Sequence, residues 1–261
     1  MKKLLVGGLL TVSVMLLSSC LDGGDDSNES SGAVVGVAEI SLKAGGVVLY
    51  YSDYDLPIFS PELSMQMSDG ECWFTQFSTT NVDNPDPNAA GYYRVQVTPG
   101  SYFPIDKGYS IPFKTDTAVS KTNELAINNI QASMSSAAAA SYIKGYLFLN
   151  SYHREMLTGQ TNAFELSYNI EQEPISQSGR NVYQMYFRAN KTADGKSPSN
   201  DQVIVNAFDV KNFFDNIIYK EKAKGEKEYY YFKINYIKSF SNDSIPVWEA
   251  TEIQQMPIPQ S

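Results

Sequence analysis

The feature that most constrains this chain is an alternation of apolar and polar residues with a period of two, repeated along its second half. Phe164, Leu166, Tyr168 and Ile170 face one way, with Glu165, Ser167 and Asn169 between them. Tyr183, Met185, Phe187 and Ala189 repeat the pattern, followed by Val203, Val205 and Ala207. Tyr230, Phe232, Ile234 and Tyr236 make a fourth set, and a fifth runs from Val247 to Ile253. Successive side chains of a strand point to opposite faces of the sheet, so each run describes a strand with one buried face. Tyr142 to Leu149 is apolar on both faces, as a central strand covered on two sides is. One stretch has a helical period instead: Asp209 is a natural N-cap, and Phe213, Phe214, Ile217 and Ile218 follow at helical spacing. Six strands and one short crossover helix predict an Ig-like β-sandwich over residues 141–256.

The first half is also β. Ala38, Ile40 and Leu42 alternate, Val47 to Tyr51 is wholly apolar, and Tyr93, Val95 and Val97 alternate against Arg94, Gln96 and Thr98. Turn residues separate these runs at Ser52-Asp53, Asp69-Gly70, Asn81 to Asn88 and Pro99-Gly100. The pattern predicts a small β domain, a barrel or sheet of about five strands, over residues 34–115. Residues 116–140, with the small-residue run Ser133 to Ser141, read as a linker. The expected fold class is therefore all-β, in two domains.

The amino end is of a different kind. Lys2 and Lys3 precede an apolar run from Leu4 to Leu17, which is shorter than the roughly 20 residues a spanning helix needs. The sequence Leu17-Ser18-Ser19-Cys20 resembles the lipobox of bacterial lipoproteins. The resemblance implies removal of residues 1–19 as a signal peptide, diacylglyceryl transfer to the Cys20 sulfur and acylation of the new amino end. Cleavage takes away two lysines and no acids, which moves the net charge from −9 to −11. Such an acidic chain has no use for nucleic acid, whose phosphates need clustered Lys and Arg. It gains nothing from anionic lipid headgroups either, so attachment rests on acyl chains, each buried CH₂ contributing about 0.8 kcal/mol. Residues 20–33 hold almost nothing to bury and read as a lipidated flexible tether. Asp22, Asp25 and Asp26 resemble the export signal that carries lipoproteins of Bacteroidota to the cell surface. The expected location is the outer membrane, on its periplasmic or its surface face.

With Cys20 taken by lipid, Cys72 is alone and no intrachain disulfide forms. Cys72 lies in the apolar run Cys72-Trp73-Phe74 and reads as a buried structural thiol. The single histidine, His153, follows an apolar strand, and no G-x-S-x-G elbow supplies it with a nucleophile. No CxxC, HExxH, P-loop or GxGxxG occurs, so no catalytic residue, cofactor or metal site is expected. Asn84-Pro85-Asp86-Pro87-Asn88 offers oxygens at alternate positions but lacks the glycine and distal glutamate of a calcium loop. Asp53, Asp55, Glu62 and Asp69 are the acids from which a glycosidase-like pair could be drawn. Clusters such as Tyr50, Tyr51 and Tyr54 are the aromatics from which a glycan or protein contact could be drawn. Asp116-Thr117-Ala118 and Asp243-Ser244-Ile245 resemble the three-residue O-glycosylation signal of Bacteroidota, which implies glycans on Thr117 and Ser244. The charge run Lys220 to Glu228 reads as a solvated hairpin.

Four segments carry a further likeness: Gly145-Tyr146-Leu147-Phe148-Leu149, Tyr186-Phe187-Arg188-Ala189-Asn190, Val205-Asn206-Ala207-Phe208-Asp209-Val210 and Tyr231-Phe232-Lys233-Ile234-Asn235-Tyr236. With the lipobox and the two-domain layout they resemble the NigD-like lipoproteins of Bacteroidota. The resemblance implies an OB-like first domain and an Ig-like second domain. The expectation is a lipid-anchored envelope protein, non-enzymatic, meeting a glycan or an envelope protein partner. The alternatives are a carboxylate-based hydrolase in the first domain and a structural subunit of a surface assembly.

Overall fold

A strand of 13 residues, β1 (Glu29–Ser41), organises the first half. One edge pairs with β4 (Cys72–Thr80) from Glu29 to Val37, and the other pairs with β2 (Gly46–Tyr50) from Val37 to Ser41. Strand β2 passes the ladder to the short β3 (Ile58–Phe59). Beyond the short helix α2 (Pro87–Ala90), β5 (Tyr93–Arg94) continues through Val95 into β6 (Gln96–Pro104). Strand β5 pairs parallel with β3, and β6 pairs antiparallel with β4. The ladder therefore returns to its start and the sheet closes as a five-stranded barrel, which leaves few unpaired edges. Helix α1 (Pro61–Ser64), between β3 and β4, puts Leu63 into the barrel core with Ala38, Leu49, Ile58, Trp73, Val95 and Val97. Parallel β3–β5 closure with a helix after β3 is the arrangement expected of an OB-like domain. This computed structural model describes residues 29–112, 123–132, 141–153, 156–197, 202–226 and 228–259.

Strand β1 runs close against the end of β2 at Gly36. An added Cβ there would lie 2.3 Å from the carbonyl oxygen of Tyr50, which is backbone and cannot swing aside. Gly36→Ala is therefore expected to destabilise the chain by about 1–3 kcal/mol, read as a lower denaturant midpoint with an unchanged slope.

The second half is a sandwich. One sheet holds β14 (Gln202–Asp209), β10 (Tyr146–His153) and β8 (Asn129–Ala132), with β9 (Tyr142–Ile143) hairpinned onto β10. The other runs β16 (Pro246–Ala250), β15 (Tyr229–Phe240), β13 (Arg180–Ala193), β11 (Thr161–Tyr168) and β7 (Tyr109–Pro112), with β12 (Ile175–Gln177) and β17 (Gln254–Pro257) at its margins. Leu147 and Leu149 from the first sheet meet Leu166, Tyr183, Met185, Phe187, Phe232 and Tyr236 from the second. Helix α3 (Lys211–Ala223) connects β14 to β15 and sends Phe213, Phe214 and Ile217 into the same core.

The two domains share a second apolar layer. Phe148, Ala207 and Ile143, on the outer side of the β14–β10 sheet, pack against Val35, Val37, Cys72, Phe74 and Ile105 outside the barrel. Alternation along β10 thus feeds both layers: Leu147 and Leu149 go to the sandwich core and Phe148 to the domain interface. The two-sided apolarity of Tyr142 to Leu149 has this cause. Barrel wall, central sheet and outer sheet form three layers over two dry seams.

Several sequence expectations move. Residues 29–33, inside the predicted tether, are the start of β1 and pair with Gln76 to Thr80, because backbone hydrogen bonds hold a strand whose side chains bury little. Ile40 and Leu42 are 67% and 96% exposed, since the β1–β2 hairpin runs past the barrel that buries Ala38. The chain enters the sandwich well before residue 115, with Lys107 bridging to Ala207 and β7 pairing with β11. Strand β8 and the buried Ile127 lie within the expected linker 116–140. Val205 and Ala207 face the first domain while Phe208 fills the sandwich core. Helix α3 continues to Ala223 through the expected hairpin, and Glu221 is only 2% exposed. Val210 takes the N-cap position, and Asp209 instead accepts the Lys211 N–H at 3.2 Å.

Candidate functional site

A cleft of about 420 Å³ opens where the two domains meet, within the usual size of small-molecule sites. Its walls come from separate elements. Lys107 and Ser110 lie on the stretch that crosses from β14 to β11, Tyr146 on β10, Tyr168 on β11, Asp209 at the end of β14 and Asn212 in the first turn of α3. Gly108 and Pro112 complete the floor. Gly108 is required by packing, because a Cβ there would sit 2.1 Å from the Phe208 ring.

Lys107 fastens the cleft to the first domain. Its Nζ donates to the Gly70 carbonyl at 2.8 Å and to Tyr146 Oη at 2.7 Å, and lies 4.4 Å from the centre of the Tyr146 ring. Partial burial alone would lower the Lys107 pKa, but the bond to Tyr146 and the nearby Asp209 outweigh it and raise the value. Lys107 is therefore a permanent cation. Across the cleft, Tyr168 Oη makes only a 3.4 Å contact with the Asp209 carbonyl, and burial together with the Asp209 charge pushes its pKa up to about 12. Tyr168 stays a neutral donor. The Ser110 hydroxyl oxygen is buried without a hydrogen-bond partner. The cleft thus offers one cation, one anion, one amide and three neutral hydroxyls.

Residues 26–99 match the family described as a lipoprotein OB domain. That stretch covers most of the barrel, and the second domain lies outside it. Among solved structures, an uncharacterized protein from Parabacteroides merdae is 21% identical, with a TM-score of 0.72 over 87% of this chain and 99% of that one. A candidate lipoprotein from Bacteroides fragilis is 10% identical, with a TM-score of 0.52 over 89% and 99%. A NigD-like immunity protein from Bacteroides caccae is 10% identical over 86% and 94%, at a TM-score of 0.44, too distant a fit to carry an argument. No curated protein matches the chain. The first two neighbours share the fold across both domains. The OB-like first domain expected from the sequence is met in residues 26–99.

The sandwich covers part of the usual OB binding face. OB folds commonly take oligonucleotides or oligosaccharides on the outer side of strands 2 and 3. Here Tyr50 on that side of β2 lies beneath Lys144, whose Nζ is 3.8 Å from the ring centre and 3.0 Å from Glu39. Lys144 and Gly145, at φ 50° and 90°, form the tight turn between β9 and β10, and Asp53 accepts the Lys144 N–H at 2.8 Å.

The residues singled out from sequence are dispersed. Asp53 holds the Lys144 turn, Glu62 accepts from Tyr102 at 2.7 Å, and Asp69 caps the Ile40 N–H at 3.0 Å. These three and Asp55 are all exposed, and no cleft gathers them among the described residues. Asn84 is spent on the backbone of Thr80 and Arg94 and on the Thr79 hydroxyl, and Asp86 accepts the Ala89 N–H of α2. No metal-binding group of three or more His, Cys, Asp or Glu occurs among the described residues. Cys72 is buried, and burial pushes its thiol up to about 12, which keeps it protonated and inert. His153 is buried with Nε2 2.8 Å from Ser151 Oγ. Among the described residues this Ser–His pair has no orienting acid, since Nδ1 has no partner there, and Ser151 is itself fully buried. Ser244 sits in an exposed turn at φ 59° between β15 and β16. Cys20 and Thr117 lie outside the described residues.

Sequence reasoning missed the cleft. Its one local signal was the pair Asp209 and Asn212, three residues apart where strand β14 runs into a helix.

Proposed function

We propose that this chain is a lipid-anchored envelope protein that acts as a non-enzymatic binding module and receives its partner at the domain junction. The observation that carries the reading is the cleft itself. The sandwich lines it and Lys107 ties it to the barrel, it holds polar groups of every hydrogen-bonding type, and among the described residues no nucleophile–base pair opens onto it. The lipoprotein OB domain and the lipobox-like Leu17-Ser18-Ser19-Cys20 support attachment through acyl chains on Cys20, at the outer membrane. Ser244 is presented where a glycan would meet no neighbour, which supports the O-glycosylation reading at that site. Two dry seams make the body rigid, as a platform needs to be. The C-terminal strand β17 is paired with β15 and buries Met256, so it is not free for donation to a second chain.

Anchoring and binding are tested separately. In the native host, Cys20→Ser is expected to move the protein from the membrane to the soluble fraction, and mass spectrometry of the wild type to find acylated Cys20 at the amino end. A soluble fragment for pull-downs and glycan arrays should begin at residue 21, because β1 starts at Glu29. Capture of a glycan or an envelope protein is the expected result. Turnover of a substrate with no captured partner would overturn the reading.

A further inference from the structure

We draw no further inference here: the strongest candidate, the exposed apolar patch of Ile40 and Leu42 at the tip of the β1–β2 hairpin, is an unpartnered face, and nothing in the structure shows what covers it.

Discussion

Arg188→Met is expected to lower the unfolding free energy by about 3–5 kcal/mol, because it removes the cation from a buried ion cluster. Arg188 is 2% exposed. Its Nη1 lies 3.3 Å from Glu124, whose side chain has no exposed surface, and its guanidinium sits 5.2 Å from the centre of the Trp248 ring. Glu165, also buried, stands directly opposite Arg188 in the β11–β13 register. Desolvated carboxylates are tolerated there only with a cation beside them. The cluster also holds a splice in the sheet. Strands β13 and β15 pair only as far as Phe187 and Tyr236. Beyond that point the segment around Glu124 bonds to both, Leu125 N–H to Ala189 O and Ile127 N–H to Ile237 O, each at 2.8 Å. Methionine fills the volume but removes the cation that faces Glu124. Urea unfolding should show a lower midpoint with the slope retained. The pair Arg188→Met with Glu124→Gln should cost less than the two single changes added together, since both remove the same ion pair. A single-variant loss under about 1 kcal/mol would mean that the cluster behaves as a solvated surface pair.

The parts of this fold that the sequence disclosed are those in which one face is buried and one is wet. Phe164, Leu166 and Tyr168, then Tyr183 to Ala189, then Tyr230 to Tyr236 alternate because each faces a single core, and each was placed correctly. Phe213, Phe214 and Ile217 were placed for the same reason with a helical period. Alternation is silent where both faces are covered. Val203 to Ala207 was read as one inward set, yet β14 lies between two apolar layers, and its neighbouring residues Ala207 and Phe208 serve different ones. Alternation also says nothing about where a sheet ends, so Ile40 and Leu42 look buried in sequence and are not. Charge patterning misled at Glu221. Burial alone would raise its pKa, but bonds from Asn181 at 3.1 Å, Tyr183 at 2.7 Å and Lys224 at 3.1 Å outweigh it and lower the value, so the carboxylate stays ionised inside. The cleft was illegible for a different reason. Lys107, Tyr146, Tyr168 and Asp209 come from four segments that only the completed three-layer packing brings together.

The chain should lose stability when the pH falls from 7 to 5, by about 2 kcal/mol from His153 alone. Burial lowers the His153 pKa from its ordinary value near 6.5 to about 4. The ring lies in the sandwich with Phe164 5.8 Å away, and its one polar contact among the described residues is Ser151. The unfolded chain takes up a proton on this histidine as the pH passes below 6.5, whereas the folded chain does not until about 4. Between those values the unfolded state binds more protons, so acid favours unfolding. At about 1.4 kcal/mol for each pH unit, the loss begins near pH 6.5. It reaches about 3 kcal/mol by pH 4 and grows no further below that. Because the chain has a single histidine, no other side chain of ordinary pKa titrates in the upper part of this window. Chemical unfolding at pH 7, 6 and 5 should therefore show a slope that His153→Gln abolishes. Glutamine keeps a hydrogen-bonding partner for Ser151 Oγ and cannot charge. The variant should be less stable than the wild type at pH 7 and should close that gap at pH 5. A wild type with equal stability at the two pH values would place His153 in contact with water. A variant that keeps the full slope would assign the acid sensitivity to the carboxylates instead.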